Sequence, residues 1–330
     1  MAIRVRMVWD GTTFTLPPEL GVPRADQMQG SPLDQLVEIS GRCCYDSCGK
    51  GRSSEDYHTH IREVGHTSVW RHAVITVEFS EDRSDRDWTN QLMLACLNRP
   101  GVFVDHGRPR GARVTINLCS VREWIKWTNR LALVTAQLHM VGDMNHHFKN
   151  LMPTACSDLK VSEHGSSHVV KPETPDEIWA SLFFTGVSRS LSHELVRHSW
   201  QACPSQRSTR YCSEDESPWI PHPAMNLTDK ENMDWVMYEA RERYGRIVLS
   251  VEKRLLTEGL DKLSARKQAR AAAARVLGHG LETELIFSAS LSAWQKIFRQ
   301  RISPHADWEI RDVMIEARDI LAARWPEHFA

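Results

Sequence analysis

Apolar residues recur along this chain with two distinct periods, and those periods predict most of its regular structure. Val74 to Phe79 alternates apolar and polar positions with β-branched residues, the pattern of a half-buried strand. Ile178 to Thr185 is almost continuously apolar and predicts a strand buried on both faces. Met233, Val236, Met237, Ala240, Tyr244, Ile247, Val248, Val251 and Leu255 recur at helical spacing and predict the longest amphipathic helix. Further helices are expected over 32–40, 54–64, from Ser188-Arg189-Ser190 to about His198, from a Ser264 cap through Arg275, over 292–301 and over 305–323. A short strand or two precedes them. The stretch 81–176 has no single period; it holds Trp-bearing segments such as 124–140 and a turn at Arg108-Pro109-Arg110-Gly111. Few strands among many helices predict an α+β fold, and no Pro-, Gly- and Ser-rich linker divides residues 1–330.

Composition narrows the function classes. The 41 basic residues balance 42 acidic ones, so a broad nucleic-acid-binding surface is not expected. No apolar run is long enough for a membrane span and the N-terminus lacks a signal-peptide core. Eight cysteines without a CxxC pair predict reduced thiols and a cytoplasmic protein. The basic residues divide into 31 Arg and 10 Lys, an excess that codon bias explains as readily as function does.

The chain has neither a GxGxxG turn nor a GxxxxGK[ST] loop, which argues against a Rossmann dehydrogenase or a P-loop enzyme. Cys43, Cys44 and Cys48 match no common zinc spacing, and His139, Asp143, His146 and His147 suit a solvated helix face; no metal is expected. Residues 189–211 form the densest polar cluster. On a helix Arg189, His193 and Arg197 fall on one stripe, Glu194 neighbours Arg197 and His198, and a loop with Gln206, Ser205, Ser208, Arg207 and Arg210 follows. A surface helix with ordinary ion pairs satisfies that pattern equally well.

Three ordered segments then resemble the flavin-dependent thymidylate synthases. His193 to His198 followed by Ser208-Thr209-Arg210-Tyr211 resembles the family's Arg-His-Arg, spacer, Ser-x-Arg-Tyr signature. Gly65-His66-Thr67-Ser68-Val69-Trp70-Arg71-His72 resembles its GHxSxxEH segment, and Arg301 to Glu309 its RxxxHAxxE segment. With Gly41 to Tyr45 and Ala274-Arg275, these cover most of the chain outside 81–176, which reads as an insertion.

The resemblance implies a helix-rich α+β fold and a homotetramer with shared active sites. It also implies FAD, and C5-methylation of a uracil nucleotide with methylenetetrahydrofolate as carbon donor and NADPH as reductant. By position, Ser68, Arg197, His198, Ser199, Gln206, Lys296 and His305 would meet the flavin. Glu194, Arg197, Gln206, Ser208, Thr209, Arg210, Arg275 and Arg301 would surround the nucleotide. Catalytic roles fall to Arg301, Arg210, Ser208 and His66. Uracil C5 is a weak nucleophile, and fixed guanidinium groups would stabilise the charge that develops on the ring. Arg301 is the first choice for that role, and Arg275 suits the phosphate. Ser208 is expected to hydrogen-bond rather than attack, since no base is assured beside it.

The pattern departs from the family at several positions. Ser199 stands where the signature has its second Arg, and the spacer after it is one residue longer, with Pro204 inside. Arg71 replaces a usual Glu. Ser290, Ser292 and Lys296 replace Asn, Arg and Asn, with Lys296 expected to supply missing positive charge. The lengthened Ser199 to Ser205 stretch suggests a specialised enzyme accepting UMP as well as dUMP, like the branch in nucleoside-antibiotic pathways such as polyoxin formation. Two alternatives remain: a flavin- and nucleotide-binding relative without methyl transfer, and a hydrolase using Ser205 or Ser208 with His198.

Overall fold

The apolar run at the centre of the sequence becomes the centre of the fold. In a computed structural model, which describes residues 4–20, 28–50, 52–79, 102–105, 112–121 and 167–329, that run forms β6 (Trp179–Ser188). It lies between β1 (Arg4–Trp9) and β8 (Glu282–Ser290), and β7 (Ala202–Gln206) closes the far edge. All three pairings are antiparallel. Alternate residues of β6 and β8 feed two cores. Phe183 and Ile286 pack with Leu36, Ile39 and Cys43 of α1 (Pro32–Tyr45). Leu182, Phe184 and Phe287 pack with Trp294 and Phe298 of α6 (Leu291–Arg301) and with Ile310, Met314 and Leu321 of α7 (Trp308–Arg324). Both faces are covered, so the strand sequence shows no polar alternation.

A second antiparallel sheet has the order β3-β4-β2-β5, where β2 is Val74–Phe79, β3 Val102–Asp105, β4 Ala112–Asn117 and β5 Ser167–Val170. The described part of segment 81–176 thus pairs with β2 on both sides. The 124–140 segments, the 108–111 turn and His139, Asp143, His146 and His147 lie outside the described residues. Ile75, Val77, Val114 and Ile116 join the same core as α1.

Four helix boundaries differ from expectation, each for a local reason. A capping box between Ser31 and Asp34 starts α1, which continues past Ser40 until Asp46 takes a left-handed conformation. Helix α3 (Arg189–Leu195) stops three residues early, capped by the Val196 N–H donating to Ser192. Asp261, rather than Ser264, caps α5 (Lys262–Ala273), and α7 begins only after the Asp307 cap. The expected loop after α3 contains β7; Pro204 is tolerated there because β7 is an edge strand.

Helix α2 (Ser54–Glu63) follows expectation, and α8 (Pro326–Phe329) is a short terminal addition. The predicted long helix is α4 (Leu227–Thr257), begun by an Asn226–Asp229 capping box; of its residues only Met237, Tyr244 and Leu255 are buried. Among the described residues no helix is long and apolar enough to cross a membrane.

Candidate active site

The site is built where two strands turn directly into helices. Gly186, at φ 67°, absorbs the register shift between Phe184 and Val187 on β6, and the strand then ends at Ser188. Ser188 Oγ caps α3 by accepting from Leu191 N at 3.1 Å. The buried carboxylate of Glu309 on α7 accepts from Ser188 N at 2.6 Å and from Ser188 Oγ. Burial raises the Glu309 pKa, against the lowering effect of the two Ser188 hydrogen bonds. Ser290 at the end of β8 caps α6 in the same way, accepting from Ala293 N at 3.1 Å.

Helix α6 ends on Arg301, which meets the last turn of α3. Arg301 Nη1 donates to Glu194 Oε2 and Nη2 to Glu194 O, the latter at 3.3 Å. Nε donates to His198 Nε2 at 2.9 Å. That bond requires Nε2 to be an acceptor, so His198 is neutral with its proton on Nδ1. Burial, then the Arg301 charge, lowers the His198 pKa, in agreement. The guanidinium is therefore locked by three contacts. Because α3 stops at Leu195, the expected Arg189-His193-Arg197 stripe is absent: Arg189 turns inward to Glu214, His193 stacks edge-on with His279, and Arg197 lies beyond the helix. Glu194 pairs with Arg301, not with its helical neighbours.

On the other side of α3, Gln206 Nε2 donates to Ser192 Oγ and Thr283 Oγ1, at 3.0 and 3.2 Å, and so ties the end of β7 to α3 and β8. Arg207 turns inward to the fully buried Glu214, with Nη1 3.1 Å from Oε2. Ser208 N donates to Cys44 O at 3.0 Å, and Arg210 N to Ser208 Oγ at 3.3 Å, leaving the Arg210 side chain exposed. The Tyr211 ring meets Tyr45 edge-on at 4.6 Å, and Tyr45 Oη lies 2.7 Å from His66 Nδ1. These rings line a cavity of about 490 Å³ that also takes in Arg52, His60, Leu263 and Lys267.

The hydrolase reading fails on this geometry. Ser205 is buried and pairs with His72 Nε2 at 2.8 Å, while His198 faces Arg301. Cys43 is buried, and burial pushes the Cys44 and Cys48 thiols up to about 11 and about 12, as expected of packed thiols.

The remaining expected residues lie at exposed or half-buried positions. Ser68 is exposed on the short helix Thr67–Arg71, Thr209 is half-buried, His305 is exposed in the turn before α7, and Arg275 is exposed just past α5. Lys296 stands over Trp200, its Nζ 3.3 Å from the ring centroid, which brings positive charge next to Ser199. Ser290 Oγ donates to Gln201 Oε1 at 2.7 Å and holds that turn, where Gln201 has φ 46°.

Exposed Arg197, Arg210 and Arg275 have no carboxylate partner among the described residues, although many other arginines pair internally. Exposed, unpaired guanidinium groups and the exposed Trp200 are the cationic and aromatic residue types that a flavin dinucleotide and a nucleotide phosphate need. Lys267 carries no sequence signal of its own, because only the packing of α5 brings it to the cavity, whereas Tyr45 closes the Gly41 to Tyr45 segment and Trp200 lies within the 189–211 cluster. Tyr211 was legible as the last residue of Ser-x-Arg-Tyr.

Residues 173–327 match the family described as thymidylate synthase complementing protein. A flavin-dependent thymidylate synthase of Mycobacterium tuberculosis (strain ATCC 25618 / H37Rv) is 36% identical over 154 residues, covering 46% of this chain and 60% of that protein. The chain thus spans about three fifths of that relative's length. A flavin-dependent thymidylate synthase of Mycobacterium sp. (strain KMS) is 31% identical over 215 residues, covering 63% of this chain and 74% of that protein. A solved flavin-dependent thymidylate synthase of Helicobacter pylori, complexed with FAD and dUMP, aligns at a TM-score of 0.34 and 18% identity, over 63% of this chain and 91% of that one. With three ordered motifs in place and 31% identity across most of the KMS-strain protein, this chain belongs to the flavin-dependent thymidylate synthase family.

Proposed function

We propose that this protein methylates C5 of a uracil nucleotide, using FAD, methylenetetrahydrofolate as carbon donor and NADPH as reductant. The observation that carries the reading is the Glu194–Arg301–His198 array beside unpaired Arg197. When bound, FAD supplies the reducing equivalents that turn a transferred one-carbon unit into a methyl group. Arg301, held against rotation, stabilises negative charge on the pyrimidine as C5 becomes nucleophilic. Arg210 and Arg275 bind the phosphate, Ser208, Thr209 and Glu194 orient the nucleotide, and Arg197 serves both nucleotide and flavin. His198, Ser199, Ser68, Lys296 and His305 face the flavin, and Gln206 acts through its ties to Ser192 and Thr283. His66, oriented by Tyr45, lies on the folate side.

A homotetramer with shared sites fits the exposed Leu227, Trp235, Tyr238 and Leu249 on α4, apolar side chains of the kind that subunit contacts cover. UMP acceptance alongside dUMP is supported by Ser199, whose small side chain is exposed in the turn between α3 and β7. The chain is read as one unit, 1–330, with an insertion at 81–176.

The test is direct. Purified protein should be yellow with FAD, and dUMP or UMP should gain one methyl mass with methylenetetrahydrofolate and NADPH. Colourless protein that FAD cannot reconstitute would overturn the reading, and product from dUMP alone would remove the ribonucleotide part. Binding of FAD and nucleotide without methylated product would favour the alternative that the missing Arg at 199 suggests, a relative that has lost transfer.

A further inference from the structure

Residues 207–218, which follow β7, are held mainly by polar contacts. Among the described residues, neither hydrophobic core includes a member of this stretch. Its anchor is the carboxylate of Glu214, which is fully buried. Oε2 accepts from Arg207 Nη1 at 3.1 Å and from Ser217 Oγ at 2.5 Å, and Oε1 lies 3.6 Å from Arg189 Nη2 on α3. Arg207 Nη1 also donates to Ser217 Oγ at 3.2 Å and Arg207 Nη2 to Ser213 O at 3.1 Å, while Arg189 Nη2 donates to Arg207 O at 3.2 Å. Burial acts to lower the Arg207 pKa, but Glu214, with smaller contributions from Cys212, Asp46 and Glu284, raises it overall.

The placement of these contacts gives the carboxylate a specific task. Arg207 and Glu214 stand on either side of Ser208, Thr209, Arg210 and Tyr211, so their ion pair closes that segment into a loop. Arg207 N donates to Glu284 O at 2.9 Å and joins the start of the loop to β8, and Ser208 N ties it to Cys44 O on α1. Inside the loop, Tyr211 N and Cys212 N donate to Ser208 O at 3.1 and 2.9 Å. A buried carboxylate facing two guanidinium groups must keep its partners to offset the hydration all of them lose. Here that pairing fixes the backbone on both flanks of residues 208–210. A loop ordered in advance binds its ligand without meeting the ordering cost at that moment.

We infer that Glu214 is a positioning residue for nucleotide binding: without touching the nucleotide, it holds Arg207 and Arg189 and thereby sets Ser208, Thr209 and Arg210 in place. The inference rests on the reading that those last three residues hold a uracil nucleotide. It separates nucleotide affinity, which depends on Glu214, from the chemical step, which depends on Arg301.

The experiment titrates FAD-loaded wild type, Glu214→Gln, Arg207→Met and Arg207→Lys with dUMP and with UMP by calorimetry. Glu214→Gln and Arg207→Met should each raise the nucleotide Kd about 10-fold, the cost of ordering roughly one backbone residue at binding. Their kcat at saturating nucleotide and their FAD content should stay at wild-type values. Arg207→Lys, which keeps a charge for Glu214, should recover part of the affinity that Arg207→Met loses. The double variant Arg207→Met/Glu214→Gln should bind no more weakly than either single one, since both remove the same clamp. Hydrogen exchange should quicken in peptides from 207–218 and stay slow in β6 and β8. A folded Glu214→Gln protein with wild-type Kd overturns the inference, as does loss of FAD with faster exchange throughout β6 and β8, which marks a purely structural role. If Glu214→Gln does not fold, the two Arg207 variants decide by the same comparison. A wild type that binds neither nucleotide refutes the nucleotide reading itself, whereas binding that the variants leave unchanged refutes only the role of Glu214.

Discussion

His72 carries a pH-dependent share of the folding free energy. It is the last residue of the Gly65 to His72 motif and is only 1% exposed. Its Nδ1 lies 2.6 Å from Ser288 Oγ and its Nε2 2.8 Å from Ser205 Oγ, and Ser181 Oγ is 2.5 Å from Ser288 Oγ. The ring therefore ties β6, β7 and β8 to the start of β2. Burial pushes its pKa from 6.5 to about 3. Protons thus bind the unfolded chain more strongly than the native one, so the stabilisation is full above about pH 6.5 and is lost as pH falls towards 3. At 1.36 kcal/mol per pKa unit, the group should lower stability by about 2 kcal/mol between pH 8 and pH 5, and by about 5 kcal/mol below pH 3.

His58, buried with a pKa of about 4, should add about 2 kcal/mol between pH 8 and pH 5. Asp34, Glu284 and Glu309 act in the opposite sense, because burial raises their pKa and they take up protons more readily in the native state. The total pH profile therefore mixes both signs, and the comparison with a variant that cannot titrate isolates His72. Urea unfolding of wild type and His72→Gln at both pH values gives the result. The variant should be less stable at pH 8, and the gap should narrow by about 2 kcal/mol at pH 5. A gap constant within about 0.5 kcal/mol would refute a buried neutral imidazole.

Other substitutions probe the site and its supports. Arg301→Lys keeps the charge but loses the fork to Glu194 and His198, so kcat/KM should fall about 10²- to 10³-fold with FAD content unchanged; a loss under about 5-fold would contradict the proposed role. Arg301→Ala, which removes the charge, should raise the His198 pKa, read by NMR titration. Glu309→Gln leaves one carbonyl oxygen to serve both Ser188 donors, and should cost about 1–3 kcal/mol in urea unfolding; wild-type stability would refute the support of α3. Gly41→Ala places a Cβ 1.7 Å from Tyr57 Oη and should destabilise by about 1–3 kcal/mol. Tyr57→Phe in the same chain should recover most of that loss, since the next atom is 3.1 Å away, and differential scanning fluorimetry of the pair checks it.

Periodicity located β2, β6 and α4 because each buries a face whose spacing is set by its own backbone geometry. The motifs marked Glu194, Arg197, His198, Ser208, Arg210 and Arg301 as a set, because those positions need particular functional groups. Neither signal showed that α3 stops at Leu195, which decides that Arg301 rather than a helical neighbour pairs with Glu194. Nor could local pattern reveal β7, whose Pro and polar residues read as loop until β8 supplies the pairing edge.

The chain's own sequence therefore determined its α+β class, its family and the inventory of charged groups. Tertiary structure decided which of those charges are free. Arg207, Arg189 and Arg42 look no different in sequence from Arg197, Arg210 and Arg275, yet the first three turn inward to Glu214 and Glu38 while the others stay exposed. A buried guanidinium must find a carboxylate to offset its lost hydration, and an exposed one need not. That difference depends on which elements pack over each residue, information that no local stretch of sequence contains.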